Sequence, residues 1–330
     1  MTQFYDARGN VYGVVSPQQV RAQGIDLPSS AGQAARAREG WTSAAIHAFC
    51  SWAPGEAPPG AKAHRCDGLL IGPFQSEPPF DLLIVNTDGT LAERSGNGLT
   101  IFSQALKERG LIKDDGDCLL QVHHDNPHGV SPLRTSVRAA MFEGAQGFWL
   151  DLGRPSFGPQ AVGARNVERV TFQQHDVSRV TALHALNPAW GHNQFVNIGN
   201  PHCVTLVDRA DALPDNPQMR APALAQGLTR IAFAAPAGSG SPCPAGVNLQ
   251  WAWLQAPGLI VARVFERGEG PTASSGTSAS AVASAAWRVG WVAAGPVGVV
   301  MPGGTAPILL EQQDEALVRV RLFGTAKAIP

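Results

Sequence analysis

Apolar residues in this chain fall mostly in short runs with period two, separated by glycine, proline and small polar residues. Phe4 to Val15 reads as a strand interrupted at Gly9-Asn10, followed by buried-strand patterns in GLLIGPF, FDLLIVN, CLLQVHH, SVRAAMF and FWLDLG. Residues 18–62 are polar and Ala-rich, then Pro-rich, and read as a helix followed by an ill-defined loop around SWAPGEAPPGAK. From Asn97 onward Ile101, Phe102, Ala105 and Leu106 make one apolar helical face that closes at Gly110. The second half has strand patterns in VTFQQ, HNQFVNIG, CVTLVD, NLQWAWL and LIVARVFERG, a helix from about Ser278 to Val289, then VVMPGG, PILLE and ALVRVRLF. Both halves run through strands into a Ser-Gly turn and a helix, a weak duplication with a period of about half the chain. The Gly/Pro-dense phrase GRPSFGP at 153–159 marks the expected domain boundary, and the Pro/Ala/Gly-rich segment 216–244 reads as a lid or a surface loop.

At 330 residues, about two domains of ~150 residues are expected. A hydrophobic fraction of 44% suffices for real cores, and a formal charge of −1 suggests no nucleic-acid or acidic-surface partner. Gly at 36 and Pro at 26 favour short strands and tight loops over a helical bundle. No basic N-terminal stretch leads into a long apolar run, and no segment reaches the ~18 apolar residues of a membrane span, so a cytoplasmic protein with no membrane partner is expected. Five scattered cysteines without a CxxC pair point to neither a disulfide framework nor a zinc site.

The duplicated turns, ERSGNGLT at 93–100 and ASSGTSAS at 273–280, carry the candidate chemistry. Each would present backbone N–H groups at a helix start, beside glycine that permits close approach of a ligand. If the halves face one another, a carboxylate held between two helix starts would have one side chain on each face of its α-carbon, a geometry suited to moving a proton across that carbon. The plainer alternative is that Ser95 and Ser275 are helix N-caps.

The chain resembles the diaminopimelate epimerase family over nearly its whole length, in eight phrases in family order: ARGN, CDGLLIGP, IVNTDGTLAERSGNG, NIGNPHCVTLVD, GVNLQW, VFERGEGPTASSGTS, VMPGG and VRLFGTAKAI. The resemblance implies an α/β (α+β) fold of two pseudo-symmetric domains, each a curved, mainly antiparallel sheet around a central helix. These are residues 1–153, rejoined by 318–330, and residues 154–317. It implies an amino-acid epimerase that uses neither metal nor pyridoxal phosphate, acts on a small amino-acid or carboxylate substrate with LL-/meso-diaminopimelate of lysine biosynthesis as default, and forms a homodimer in many members. It places Asn10, Asn86, Asn200, Asn248 and Arg267 around the substrate, His202 and Glu266 beside the reacting centre, and the amides at Gly96-Asn97 and Gly276-Thr277 on the reacting carboxylate. The residue chemistry agrees: Arg267 offers a planar fork for a distal carboxylate, and asparagines both donate and accept. Bland alternatives stand beside these roles, with Glu266-Arg267 a surface pair, Asn86 a turn residue and His202 a buried structural histidine.

The sequence departs from the family where its two cysteine proton carriers belong, at Ser95 and Ser275. A thiol with an ordinary pKa of about 8.5 reaches its thiolate near neutrality, whereas a hydroxyl acts as a base only when another group takes its proton. Four accounts compete: a natural paralogue using serines assisted by His202 and Glu266 for epimerisation or a related isomerisation, tautomerisation or dehydration; a slower true epimerase; an amino-acid-binding descendant without turnover; and replacement in the laboratory. Cys203 is no substitute thiol, because strand alternation points it away from His202.

Overall fold

The computed structural model describes residues 2–113, 116–127 and 129–329, so that the outer domain limits, 1 and 330, lie outside the described residues. Two compact units form, one comprising the residues up to Leu150 with those from Gly324 on, the other Asp151–Phe323. The fold is the expected α/β class, dominated by sheet.

In the first unit the strands are β1 (Gln3–Ala7), β2 (Asn10–Val15), β3 (Gly68–Ile71), β4 (Phe80–Asn86), β5 (Asp117–Val122), β6 (Leu133–Phe142) and β7 (Ala145–Gly153), with helices α1 (Pro17–Ala22), α2 (Ala31–Arg36), α3 (Thr42–Cys50) and α4 (Gly96–Glu108). β1 and β2 form an antiparallel hairpin. β2 then lies parallel to β3, β3 antiparallel to β4, β4 parallel to β5, and β5–β6–β7 continue antiparallel.

The second unit contains β8 (Ser156–Phe157), β9 (Glu168–Phe172), β10 (His175–Arg179), α5 (Thr181–Leu186), β11 (Asn193–Asn197), β12 (Pro201–Leu206), α6 (Asn216–Arg220), α7 (Pro222–Ala232), β13 (Asn248–Ala256), β14 (Leu259–Glu266), β15 (Gly270–Thr272), α8 (Gly276–Arg288), β16 (Gly295–Met301), β17 (Gly304–Gln313) and β18 (Ala316–Gly324). Its order repeats that of the first: β11–β12 antiparallel, β12–β13 parallel, β13–β14 antiparallel, β14–β16 parallel, β16–β17–β18 antiparallel. A last strand, β19 (Lys327–Ile329), pairs with β1 as β8 pairs with β11. The weak duplication of the sequence is thus a duplication of strand pairing between the two units, to which the second adds β9, β10 and β15, with α4 and α8 as equivalents.

Alternation explains why the β3 and β4 runs are apolar at nearly every position: both faces of the sheet are covered. Leu69, Ile71, Leu83 and Val85 join Trp41, Ile46 and Phe49 in a cluster formed with α1, α2 and α3. Leu70 faces the other way, toward the start of α4, where a Cβ on Gly98 would lie 3.4 Å from its Cδ2. The helices α4 and α8 are buried along most of their length, and their hydroxyls are satisfied by their own backbones: Thr100 and Ser280 donate to the carbonyls of Gly96 and Gly276, at 2.9 and 2.8 Å.

Two expectations are corrected. Residues 18–62 hold three short helices rather than one, the first two opened by Ser16 and Ser30 as N-caps, because the scattered alanines and aromatics cover the outer face of β3 and β4. Segment 216–244 is neither a lid nor a surface loop: α6 and α7 deliver Met219, Leu228, Ile231 and Ala232 to the second core, and Cys243 joins them there. Among the described residues no helix is long and apolar enough to cross a membrane.

Candidate active site

Ser95 and Ser275 occupy the same place in the two units. Each precedes a 13-residue helix in extended conformation, with φ/ψ of −140/117° and −152/120°. Each hydroxyl oxygen accepts the N–H three residues on, Gly98 at 3.0 Å and Ser278 at 3.4 Å. Both serines are half-buried, and the glycines after them keep the helix starts open. The N-cap alternative therefore describes the local geometry, and capping leaves the rest of each hydroxyl's hydrogen-bonding capacity to the surroundings. The N–H groups of Gly96, Asn97, Gly276 and Thr277 open their helices, where the helix has no carbonyls to offer them.

Those surroundings differ between the units. Nine residues before Ser275, at the end of β14, stands Glu266; nine before Ser95, at the end of β4, stands Asn86. Burial pushes the Glu266 pKa up, opposed by the hydroxyls of Ser275 and Thr272, with Glu269 adding to the rise. Asn86 instead builds the turn its sequence suggests: its Nδ2 donates to Thr90 Oγ1 at 2.9 Å and its carbonyl accepts from Gly89 N. In its place, the neighbour of Ser95 is a phenol, Tyr12 Oη at 3.5 Å. Asn97, in the first turn of α4, hydrogen-bonds through Nδ2 to Asn10 Oδ1 at the start of β2.

In the second unit a chain of side chains runs beneath α8. Gln250 Nε2 donates to His202 Nδ1 at 3.0 Å and to Ser278 Oγ at 3.1 Å. With Nδ1 accepting, the His202 proton sits on Nε2, which lies 2.6 Å from Asn200 Oδ1, and Asn200 Nδ2 reaches Thr277 Oγ1 at 3.5 Å. His202 has no exposed surface, and burial takes its pKa down to about 3, so the ring is neutral. Beside it on β13, Asn248 accepts the N–H of Arg267 at 2.8 Å. Arg267 is exposed, with Nη1 on the Ala245 carbonyl at 2.8 Å. Its stem crosses Gly246, whose φ of +75° and lack of a side chain both matter: a Cβ there would lie 2.7 Å from Arg267 Cδ. Cys203 points away into the apolar cluster, as alternation requires.

The second unit thus joins His202, Asn200 and Thr277 in one hydrogen-bonded run and Asn248 with Arg267 in a separate bond, with Glu266 influenced by the Ser275 hydroxyl, while the first brings Asn97 to Asn10 beside Ser95 and leaves Asn86 with its turn. Sequence reasoning overlooked Tyr12 and Gln250. Each lies two residues past a chosen asparagine on the same strand, Asn10 and Asn248, so that period two was the signal for both.

The diaminopimelate epimerase family profile matches residues 194–328. The diaminopimelate epimerase of Xylella fastidiosa (strain M12) is 30% identical over 254 residues, covering 73% of this chain and 72% of that protein. Diaminopimelate epimerase 2 of Nostoc sp. is 29% identical over 254 residues, 76% of this chain and 75% of its own length. Among solved structures, a probable proline racemase from Agrobacterium radiobacter shares the fold at a TM-score of 0.55 and 14% identity, covering 100% of this chain and 91% of that one. By these relatives, and by the duplicated unit with its paired helix starts, the chain belongs to the diaminopimelate epimerase family and is an isomerase of that type.

Proposed function

We propose that this protein inverts an amino acid at its α-carbon by proton transfer, without a cofactor, and that LL-/meso-diaminopimelate is its substrate. Ser95 and Ser275, one in each unit, are the proton carriers of this reading, and the amides of Gly96-Asn97 and Gly276-Thr277 are its carboxylate binders, suited to stabilise the charge that develops when the α-proton leaves. Asn10, Asn86, Asn200 and Asn248 grip the polar groups of the substrate, and Arg267 takes the distal carboxylate. A serine is a poor base alone, so Ser275 depends on Glu266, whose carboxylate accepts the hydroxyl proton as the oxygen takes one from carbon. His202, neutral and engaged at both nitrogens, orients Asn200 rather than carrying a proton.

The observation that supports this reading is the repetition of one capping geometry, Ser95 and Ser275 each at the head of a 13-residue helix in units of the same strand order. The test is incubation with LL-diaminopimelate in deuterated water, followed by NMR and chiral chromatography. The expected result is α-deuterium and the meso isomer. Saturable binding in calorimetry with neither exchange nor inversion would refute turnover and leave an amino-acid-binding protein.

A further inference from the structure

We infer that Tyr12 is the positioning residue that supplies Ser95 with its proton, so that the two serines differ in role: Ser275 removes a proton from the substrate and Ser95 delivers one. The inference rests on the reading above that both serines serve as proton carriers. Tyr12 is 8% exposed and its Oη lies 3.5 Å from Ser95 Oγ. Its ring lies against bare backbone at Gly68, where a Cβ would come within 2.8 Å of Tyr12 Cε1, so the strand pair β2–β3 holds a slot for the phenol.

Hydrogen-bond direction separates the serines. Burial raises the Tyr12 pKa above its ordinary 10.0; Ser95 opposes the rise, and Asp67 and Cys66 add to it. The phenol is therefore protonated at neutral pH, and as the stronger acid of the pair it donates to Ser95. Ser95 Oγ then accepts from both Tyr12 and Gly98 N–H, which leaves its own O–H to point elsewhere. Ser275 is wired the other way. It accepts from Ser278 N–H, and its hydroxyl counters the burial that raises the Glu266 pKa; a Glu266 carboxylate, which only accepts, draws the Ser275 proton toward itself in this scheme and leaves a lone pair open. The position of Tyr12 in the second unit is held by His202, each opposite the first residue of the next strand, Gly68 and Asn248. There the ring is spent on Gln250 and Asn200.

The protons balance. The α C–H bond breaks and its proton passes to Ser275 Oγ, while the Ser275 hydroxyl proton moves to Glu266. The electron pair is held as an enolate of the substrate carboxylate. A new C–H bond forms with the proton of Ser95, which regains one from Tyr12. The phenolate then takes a proton from water and Glu266 returns one.

The experiment follows α-hydrogen exchange and inversion together, with the full-length protein in deuterated water, starting separately from LL- and meso-diaminopimelate. In Tyr12→Phe the ring still fills its slot. Inversion should fall at least about tenfold, with exchange from one stereoisomer within about twofold of wild type and KM unchanged. Ser95→Ala should show the same split, and Glu266→Gln should lose exchange and inversion alike. Wild-type inversion in Tyr12→Phe, or equal loss of exchange and inversion in both Tyr12→Phe and Ser95→Ala, would overturn the role of Tyr12 alone. A wild-type protein that neither exchanges nor inverts would overturn the reading of the serines, and the role of Tyr12 with it.

Discussion

Replacing His202 by leucine tests whether this histidine is a neutral, structural donor. Leucine fills the volume but takes away the acceptor of Gln250 Nε2 and the donor to Asn200 Oδ1. Gln250 is fully buried, and leaving its amide without that partner costs roughly 1–3 kcal/mol, whereas the half-buried Asn200 can turn to water. Near pH 7.5 His202→Leu should be less stable than wild type by that amount. The pH dependence runs the other way. Above pH 6.5 the ring is neutral in the folded and unfolded chains and titration contributes nothing. As pH falls the unfolded chain takes up a proton that the folded chain refuses until about pH 3, so wild-type stability falls across that window. The full loss is about 5 kcal/mol, at ~1.4 kcal/mol per pH unit, and some 3 kcal/mol of it is gone by about pH 4. His202→Leu escapes that loss, so the order of stability should reverse near pH 5. Urea unfolding followed by tryptophan fluorescence between pH 7.5 and 4 measures both curves, and the other histidines cancel in the difference. Parallel curves, or an imidazole resonance of His202 titrating near 6.5, would refute a neutral ring locked between Gln250 and Asn200.

Ser95→Ala should lower stability by about 1 kcal/mol and Ser275→Ala, with its longer cap contact, by about 0.5 kcal/mol, seen as shifts of a few degrees in calorimetry; much larger losses would mean that the hydroxyls do more for the fold than cap a helix. Arg267→Ala should raise KM for diaminopimelate at least about tenfold with little change in kcat, and an unchanged KM would remove Arg267 from the distal carboxylate.

Much of the fold was legible because its strands are covered either on one face or on both, and each case leaves its own apolar pattern. FDLLIVN reads as a buried strand since Leu82 and Ile84 face one way while Leu83 and Val85 face the cluster with α1–α3. The helices at 17–50 and 216–232 were harder to see because they are short and place only a few small or scattered apolar residues in the core. Their starts were nonetheless marked: Ser16 with Gln19, and Asp215 with Gln218, form reciprocal capping boxes. At the candidate site, the repeated turns pointed to Ser95 and Ser275, and the family resemblance pointed to Glu266. Tyr12 stayed hidden because a tyrosine among Val11, Val14 and Val15 looks like core, and its chemistry depends on where one oxygen lies. His202 was legible as a residue of interest, with a buried structural histidine among the alternatives, but the partner that engages its ring, Gln250, lies 48 positions away.

Duplication explains why the two units keep one backbone and differ in their ionisable groups. The helix start is kept in both copies: the Ser-Gly turns, the capping geometry and the back-bonded hydroxyls of Thr100 and Ser280 recur. With cysteine the two copies can be chemically alike, since a thiol is acid enough to serve as base or acid near neutral pH. With serine they cannot, because a hydroxyl takes the character of whatever lies behind it. At the ends of the equivalent strands β4 and β14 stand Asn86 and Glu266, and at the equivalent positions of β2 and β12 stand Tyr12 and His202. Among the described residues Glu266 stands by Ser275 and Tyr12 by Ser95, so the two serines have chemically different neighbours.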